Sequence, residues 1–310
     1  MNIRSVEPPM SALLPVIPRS LFELMADIGP KWGSDIRGHS KLMIDGFSEL
    51  LADAPKDGEV ARDIAYGAHP RQVLDVYSPR GARAAPIVVF AHGGAYVDGN
   101  KDRSGEIYAN LCWYLARNGV ICVNIEYRLA PEFKYPSASE DVGAAVGWTR
   151  ANIARFGGDP GRIFVMGHSA GAAHVGCYAY DRRLHPPEGS GIVGLIVVSG
   201  RVRAENLPEN PNARKVEAYY GVDPARMEQG SVVNHVSAES VPTMIGIGEF
   251  ENPRLDVHCA ELFHRLAQVQ RRAPRIIRLA GYNHTSTIAH FNTAEDRLGR
   301  EILEFIRIGR

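Results

Sequence analysis

The stretch Arg162-Ile-Phe-Val-Met-Gly-His-Ser-Ala-Gly-Ala-Ala-His174 decides the reading of this chain. Residues 162–166 are a short apolar run suited to a strand, and residues 170–174 are small and suited to a helix. Between them stands Gly167-His168-Ser169-Ala170-Gly171. A G-x-S-x-G pattern alone arises by chance in a chain with 31 glycines. Between a strand and a helix, it has the setting of a sharp turn that lifts a serine hydroxyl clear of the sheet. The two glycines allow strained backbone and close packing there. Ser169 is the candidate nucleophile.

On both sides of this turn the pattern alternates. Strand-like runs are expected at Arg62–Tyr66, Val73–Tyr77, Pro86–Ala91, Val120–Tyr127, Ile192–Ser199, Pro242–Ile247 and Arg275–Leu279. The first two read as a hairpin across Gly67–Pro70. Helices are expected at Ser104–Asn118, Ser137–Phe156, Gly171–Leu184, Pro253–Gln270 and Thr293–Ile308, with Ser137 and Glu140 as a capping box. Strands alternating with helices of this length predict an α/β chain with a mostly parallel, doubly wound sheet. Residues 1–55 read as helical pieces, and 56–310 as the main domain. Residues 201–240 are polar, rich in Pro and Asn, and long for a connection, as a lid or binding insertion would be.

The chain has 310 residues, 45% of them hydrophobic, with 35 Lys plus Arg against 35 Asp plus Glu. That balance gives no reason to expect nucleic acid or an anionic membrane as partner. A small neutral organic molecule is the default ligand, and a homodimer is compatible with the composition. Cys112, Cys122, Cys177 and Cys259 form no CxxC pair, which argues against a zinc or redox motif and for buried thiols in a reducing compartment. The apolar stretch at 9–18 is broken by Pro9, Pro15 and Pro18, unlike a secretory signal. No window has the length of a membrane span. A cytoplasmic protein is the expectation.

A serine hydroxyl is a weak nucleophile and needs a base. His284 lies in Gly281-Tyr282-Asn283-His284-Thr285, a loop after the last expected strand, where doubly wound sheets place their chemistry. His290 is the reserve. His168 is adjacent to Ser169 and must point elsewhere; His174, His258 and His264 fall on helices. The base needs a carboxylate to hold its tautomer. In the chain order nucleophile, acid, histidine, the acid follows the strand ending at Gly248. Glu251, Glu249 and Asp256 are candidates, with Glu251 preferred and Glu249 next. His92-Gly93-Gly94-Ala95-Tyr96 follows the strand at 86–91. Backbone N–H groups of Gly93, Gly94 and Ala170 are the candidate donors to an oxyanion. His92 is expected to shape that loop.

Together HGGAYVDGNK (92–101), YRLAPE (127–132), GGDP (157–160), GHSAG (167–171), GEFENP (248–253) and GYNH (281–284) resemble the hormone-sensitive-lipase-like branch of the α/β-hydrolases. The related kynurenine formamidase and feruloyl esterase groups are similar. The resemblance spans about residues 86–308. It implies the α/β-hydrolase fold, a triad of Ser169, Glu251 and His284, an oxyanion hole of Gly93, Gly94 and Ala170, and no metal or organic cofactor. It also implies that Asp141 ties loops near the site. The family usually has Asp where this chain has Glu251, and residues 1–55 match none of its motifs; by analogy with similar esterases that segment is expected to form a small helical N-terminal cap.

The resulting expectation is a serine carboxylesterase for small hydrophobic or aromatic esters, working through an acyl-enzyme. An arylformamidase or amidase, and a ligand-binding protein on the same fold, are the alternatives. Tyr96, His168, Phe22, Trp32, Phe47, Tyr219 and Tyr220 are the expected substrate-pocket side chains.

Overall fold

The structure is a computed structural model that describes residues 13–309; residues 1–12 of the expected N-terminal segment, Pro9 among them, lie outside the described residues. Helices α1 (Arg19–Ile28) and α2 (Ile36–Leu51) come first, joined by a 3-10 turn at Gly29–Ser34. Strands β1 (Glu59–Ala65), β2 (Val73–Ser78) and β3 (Ala85–Ala91) follow. Then come α3 (Ala109–Arg117), β4 (Ile121–Ile125), α4 (Ser137–Asn152), β5 (Gly158–His168), α5 (Ala170–Tyr180) and β6 (Gly194–Val198). Helices α6 (Ala213–Tyr220) and α7 (Pro224–Gly230) lie between β6 and β7 (Thr243–Phe250). The chain ends with α8 (Leu255–Gln270), β8 (Arg275–Asn283), the short α9 (Ser286–Ala289) and α10 (Arg297–Ile308).

All eight strands form one sheet in the order β1-β2-β4-β3-β5-β6-β7-β8. β2 runs antiparallel to β1 and β4, and every other neighbouring pair is parallel. The apolar runs explain the middle of the sheet. All five residues of β4 and all five of β6 are buried, as strands covered on both faces must be. β1 forms one edge and is mostly exposed. One face carries a core built with α4, α5 and α8. The other carries a core built with α1, α2, α3 and α10. The expected doubly wound α/β-hydrolase architecture is therefore present, and the N-terminal helices share the α3–α10 layer. Among the described residues no helix is long and apolar enough to cross a membrane.

Three local expectations are corrected. The helix expected from Ser104 begins at Ala109, because Ser104, Gly105 and Tyr108 have φ of +61°, +81° and +78°. That left-handed backbone cannot continue a helix. The Ser137–Glu140 capping box is absent: Pro136 occupies the N-cap, and Ser137 Oγ has no partner among the described residues. Glu140 instead reaches toward Arg128 at 3.5 Å. The last helix starts at Arg297 rather than Thr293, whose hydroxyl donates to the His290 carbonyl at 2.7 Å. The insertion after β6 is not loop alone. Val216, Tyr219 and Tyr220 of α6 and Met227 of α7 are buried in the α4–α5 core.

Candidate active site

Ser169 sits between the end of β5 and the start of α5 with φ +56° and ψ −119°. For a residue with a side chain this is strained backbone, and the surrounding structure must hold it. Its N–H donates to the Val198 carbonyl at 3.0 Å, and its carbonyl accepts from Arg201 N at 3.1 Å, so β6 clamps the turn from the side. A Cβ on Gly171 would stand 2.2 Å from the Ala91 carbonyl oxygen. Only glycine lets α5 leave so close to β3.

His284 follows β8 and reaches back over β7 and β6. Its Nε2 is 3.0 Å from Ser169 Oγ, and its Nδ1 is 2.7 Å from Glu251 Oε2. A carboxylate accepts only, so Nδ1 carries the ring proton and Nε2 is left as the acceptor for the serine hydroxyl. The second carboxylate oxygen, Glu251 Oε1, accepts from Ser199 Oγ at 2.6 Å and from Gly248 N at 2.8 Å. These two bonds fold the longer glutamate arm back onto the end of β7. The other acid candidates lie elsewhere. Glu249 accepts from Gly281 N at 2.7 Å and pairs with Arg278 at 3.0 Å near the surface. Asp256 accepts from Val257 N. The reserve base His290 is buried with Nδ1 on the Ser286 carbonyl, and burial lowers it to about 4. Asp141, buried, receives Gln72 Nε2 at 2.7 Å and Arg128 N at 2.8 Å, joining the segment before β2 to the one after β4.

The His168 ring lies tilted against that of His284, with ring centroids 4.8 Å apart. Burial, with the neighbouring His284 ring adding to it, pushes His168 well below the ordinary histidine range and favours its neutral form. Its Nε2 lies 3.0 Å from the His284 carbonyl, which only accepts; Nε2 therefore donates and Nδ1 accepts. Tyr108 Oη stands 3.2 Å from Nδ1 and itself accepts from Gly93 N at 3.1 Å. Burial raises the Tyr108 pKa and keeps its proton on. The result is a directional chain from Gly93 N–H through Tyr108 and His168 to the His284 backbone. Thr287 Oγ1 donates to the same carbonyl at 2.8 Å.

That chain corrects one expected oxyanion donor. The Gly93 N–H is engaged by Tyr108 and is not free. Among the described residues the N–H groups of Gly94 and Ala95, both in the cleft wall, have no acceptor. Ala170 opens α5, so its N–H is one of the first-turn donors that a helix leaves unpaired. Gly94 has φ +147°, and a Cβ there would come within 1.7 Å of the Asp98 carbonyl oxygen. His92 holds the loop: its Nδ1 meets the Gly93 carbonyl at 2.7 Å and its ring stacks on Tyr127 at 4.4 Å.

Ser169, His168 and His284 line a cleft of about 700 Å³. Its walls include Gly33–Arg37 and Ile44 from the N-terminal region, Ile107, Ile288, and Asn212 and Lys215 at α6. Ser40 Oγ on α2 lies 2.8 Å from Thr285 Oγ1, tying that wall to the loop of His284. Of the expected pocket side chains, only His168 lines this cleft. Phe22 faces outward on α1, and Phe47 is core. Trp32 is buried and donates through Nε1 to Asn252 Oδ1 at 2.8 Å. Tyr96 and Tyr219 stack at 4.9 Å with Tyr220 edge-on to both, so these rings pack against each other in the core. Sequence reasoning missed Tyr108, Ser199, Thr287 and Arg201. Ser199-Gly200-Arg201 did carry a signal: polar residues directly after an all-apolar strand.

A central parallel strand turning through a strained serine into a helix defines the α/β class whose nucleophile stands at the carboxyl edge of the sheet. A family model described as alpha/beta hydrolase fold matches residues 88–250, just over half of the chain, and the chain belongs to that family. Esterase LipC of Mycobacterium tuberculosis is 32% identical over 241 residues, 72% of this chain and 59% of that protein. Probable carboxylesterase 1 of Arabidopsis thaliana is 31% identical over 182 residues, 53% of this chain and 57% of that protein. The chain spans 42–59% of the length of the first curated relatives it matches. Among solved structures, an esterase of Pyrobaculum calidifontis is similar in fold, with TM-score 0.72 and 22% identity, covering 94% of this chain and 98% of that one.

Proposed function

We propose that this chain is a serine carboxylesterase that cleaves small-molecule esters with hydrophobic or aromatic parts through an acyl-enzyme on Ser169. One observation carries the reading: the unbroken hydrogen-bonded series Ser169 Oγ, His284, Glu251 at the floor of an open cleft. Esterase names among the relatives support the same class of reaction. Ile36, Ile44, Ile107 and Ile288 in the cleft wall support an apolar substrate moiety. In this proposal α1 and α2 serve as the cap, and the segment 201–240 forms the opposite wall.

His284 Nε2 takes the Ser169 proton as Oγ attacks the ester carbonyl. Glu251, held by Ser199 and Gly248, fixes the ring and stabilises the imidazolium. The N–H groups of Gly94, Ala95 and Ala170 receive the oxyanion, each donor contributing about 3 kcal/mol to the barrier reduction. His284 then gives its proton to the leaving alcohol, and a water repeats the sequence to free the acid.

The test is covalent labelling by a fluorophosphonate probe together with turnover of p-nitrophenyl butyrate. Labelling lost in Ser169→Ala, with ester turnover in the parent, is the expected result. Fast release of formate from an N-formyl aryl amide beside negligible ester turnover would make the chain an arylformamidase. Absence of labelling would leave a ligand-binding protein on this fold.

A further inference from the structure

Arg201 is an anomaly in the wall of the cleft. It lies just past β6, its backbone N–H bonded to the Ser169 carbonyl, and it is 4% exposed. Buried arginines are ordinarily paired with a carboxylate, because an unpaired buried charge is costly. This one has no salt bridge among the described residues. Its guanidinium has one acceptor, Asn210 Oδ1, at a long 3.4 Å, and Nη1 has none. The nearest acid along the chain, Glu205, is already taken by Arg254 and by His258 at 2.7 Å. Tyr96 and Tyr220 lie beside Arg201, but the Tyr96 hydroxyl also lacks a partner among the described residues.

The charge around it points the same way. Arg37, Arg103, Arg201 and Lys215 line the cleft against only Asp35 and Asp98. Both carboxylates are already acceptors for backbone, from Gly38 N and Gly99 N. A chain with equal numbers of acidic and basic residues thus concentrates cations at one cleft. Low-dielectric walls focus such a field on an incoming anion. A guanidinium fork with free donors matches the two oxygens of a carboxylate bidentately.

We propose that the substrate carries a carboxylate beside its scissile ester, and that the Arg201 guanidinium receives it. This rests on the hydrolase reading above and names the substrate class for the same site. The carboxylate takes no part in bond-making; it fixes the register of the ester against Ser169.

Two matched pairs test the idea. One puts the charge on the acyl side, 4-nitrophenyl hydrogen glutarate against 4-nitrophenyl valerate. The other puts it on the leaving group, 4-acetoxybenzoate against phenyl acetate. For at least one pair kcat/KM should favour the charged ester by tenfold or more at low salt, with the preference shrinking as NaCl rises. The charged-to-neutral ratio should fall at least tenfold in Arg201→Met and recover in part in Arg201→Lys. No preference in either pair, or a ratio unchanged by Arg201→Met, overturns the inference while leaving an esterase. If the variant fails to fold, the wild-type ratios and their salt dependence decide alone. If no ester is turned over and Ser169 stays unlabelled, the hydrolase reading has failed instead. Calorimetric titration of wild-type protein with monomethyl glutarate against methyl valerate then decides the carboxylate site. Tighter binding of the acid supports it, and equal or absent binding of both overturns it.

Discussion

Replacing Glu251 by Gln keeps the shape of the side chain and removes its charge. The amide oxygen can retain the bonds from Ser199 Oγ and Gly248 N. That leaves the amide NH2 facing His284 Nδ1, which sits 2.7 Å from the present carboxylate. Two donors would then meet. The ring escapes by moving its proton to Nε2, the atom that must accept from Ser169. The imidazolium formed during attack also loses its counter-charge. At about 4 Å and an effective dielectric constant near 20, that is about 4 kcal/mol, or roughly a thousandfold in rate. The assay is kcat for p-nitrophenyl butyrate, with circular dichroism to verify the fold. Glu251→Gln should fall by about 10³, whereas Glu249→Gln, a substitution near the surface, should stay within about threefold. Retention of more than a tenth of wild-type kcat by Glu251→Gln, or a larger loss in Glu249→Gln, would refute this assignment of the acid.

Ser199→Ala removes one of two donors to Glu251 Oε1, and kcat should drop about tenfold, as loss of a hydrogen bond to a charged group of about 1.5 kcal/mol predicts. Tyr108→Phe leaves the buried Gly93 N–H and His168 Nδ1 without partners; a denaturation midpoint shift equivalent to about 1–3 kcal/mol is expected, together with reduced kcat. An unchanged midpoint would contradict the relay. Burial lowers His174 to about 3 and His258 and His290 to about 4, below the unfolded value of about 6.5. Between those values the unfolded chain binds more protons, so stability is lost as pH falls from about 6.5 toward 4, by about 1.4 kcal/mol per pH unit for each such histidine. Urea midpoints at pH 7.0 and 5.5 will show it, and a pH-independent midpoint would count against neutral buried rings.

Much of the fold was legible because the informative signals are local. Continuous apolar runs such as Pro86–Ala91 and Ile192–Ser199 leave little choice but central strands, and the Gly–Ser–Gly turn marks where one of them ends. Chain order then narrowed the search for an acid and a base to the loops after β7 and β8, where the structure brings Glu251 and His284 to Ser169. What failed was non-local. Nothing near Gly93 announces that a tyrosine 15 residues on will capture its N–H. Tyr96, Tyr219 and Tyr220 looked like pocket rings because their stacking joins segments more than a hundred residues apart. Ser104–Ile107 has helical composition, but the backbone there is left-handed at Ser104 and Gly105. Arg201 opened the polar stretch 201–240, and burial without a partner is invisible in a string of letters.

The tyrosine stack also fixes one wall of the cleft, the one that carries Asn212 and Lys215. Tyr219 and Tyr220 anchor α6 beneath the loop carrying Gly94, and the Tyr219 carbonyl accepts from Tyr135 N at 2.9 Å. Swinging α6 aside would bare two rings of about 150–250 Å² each, at roughly 8–12 kcal/mol. At that energy fewer than about one molecule in 10⁵ would stand open at any moment. The insertion after β6 therefore behaves as masonry rather than a door.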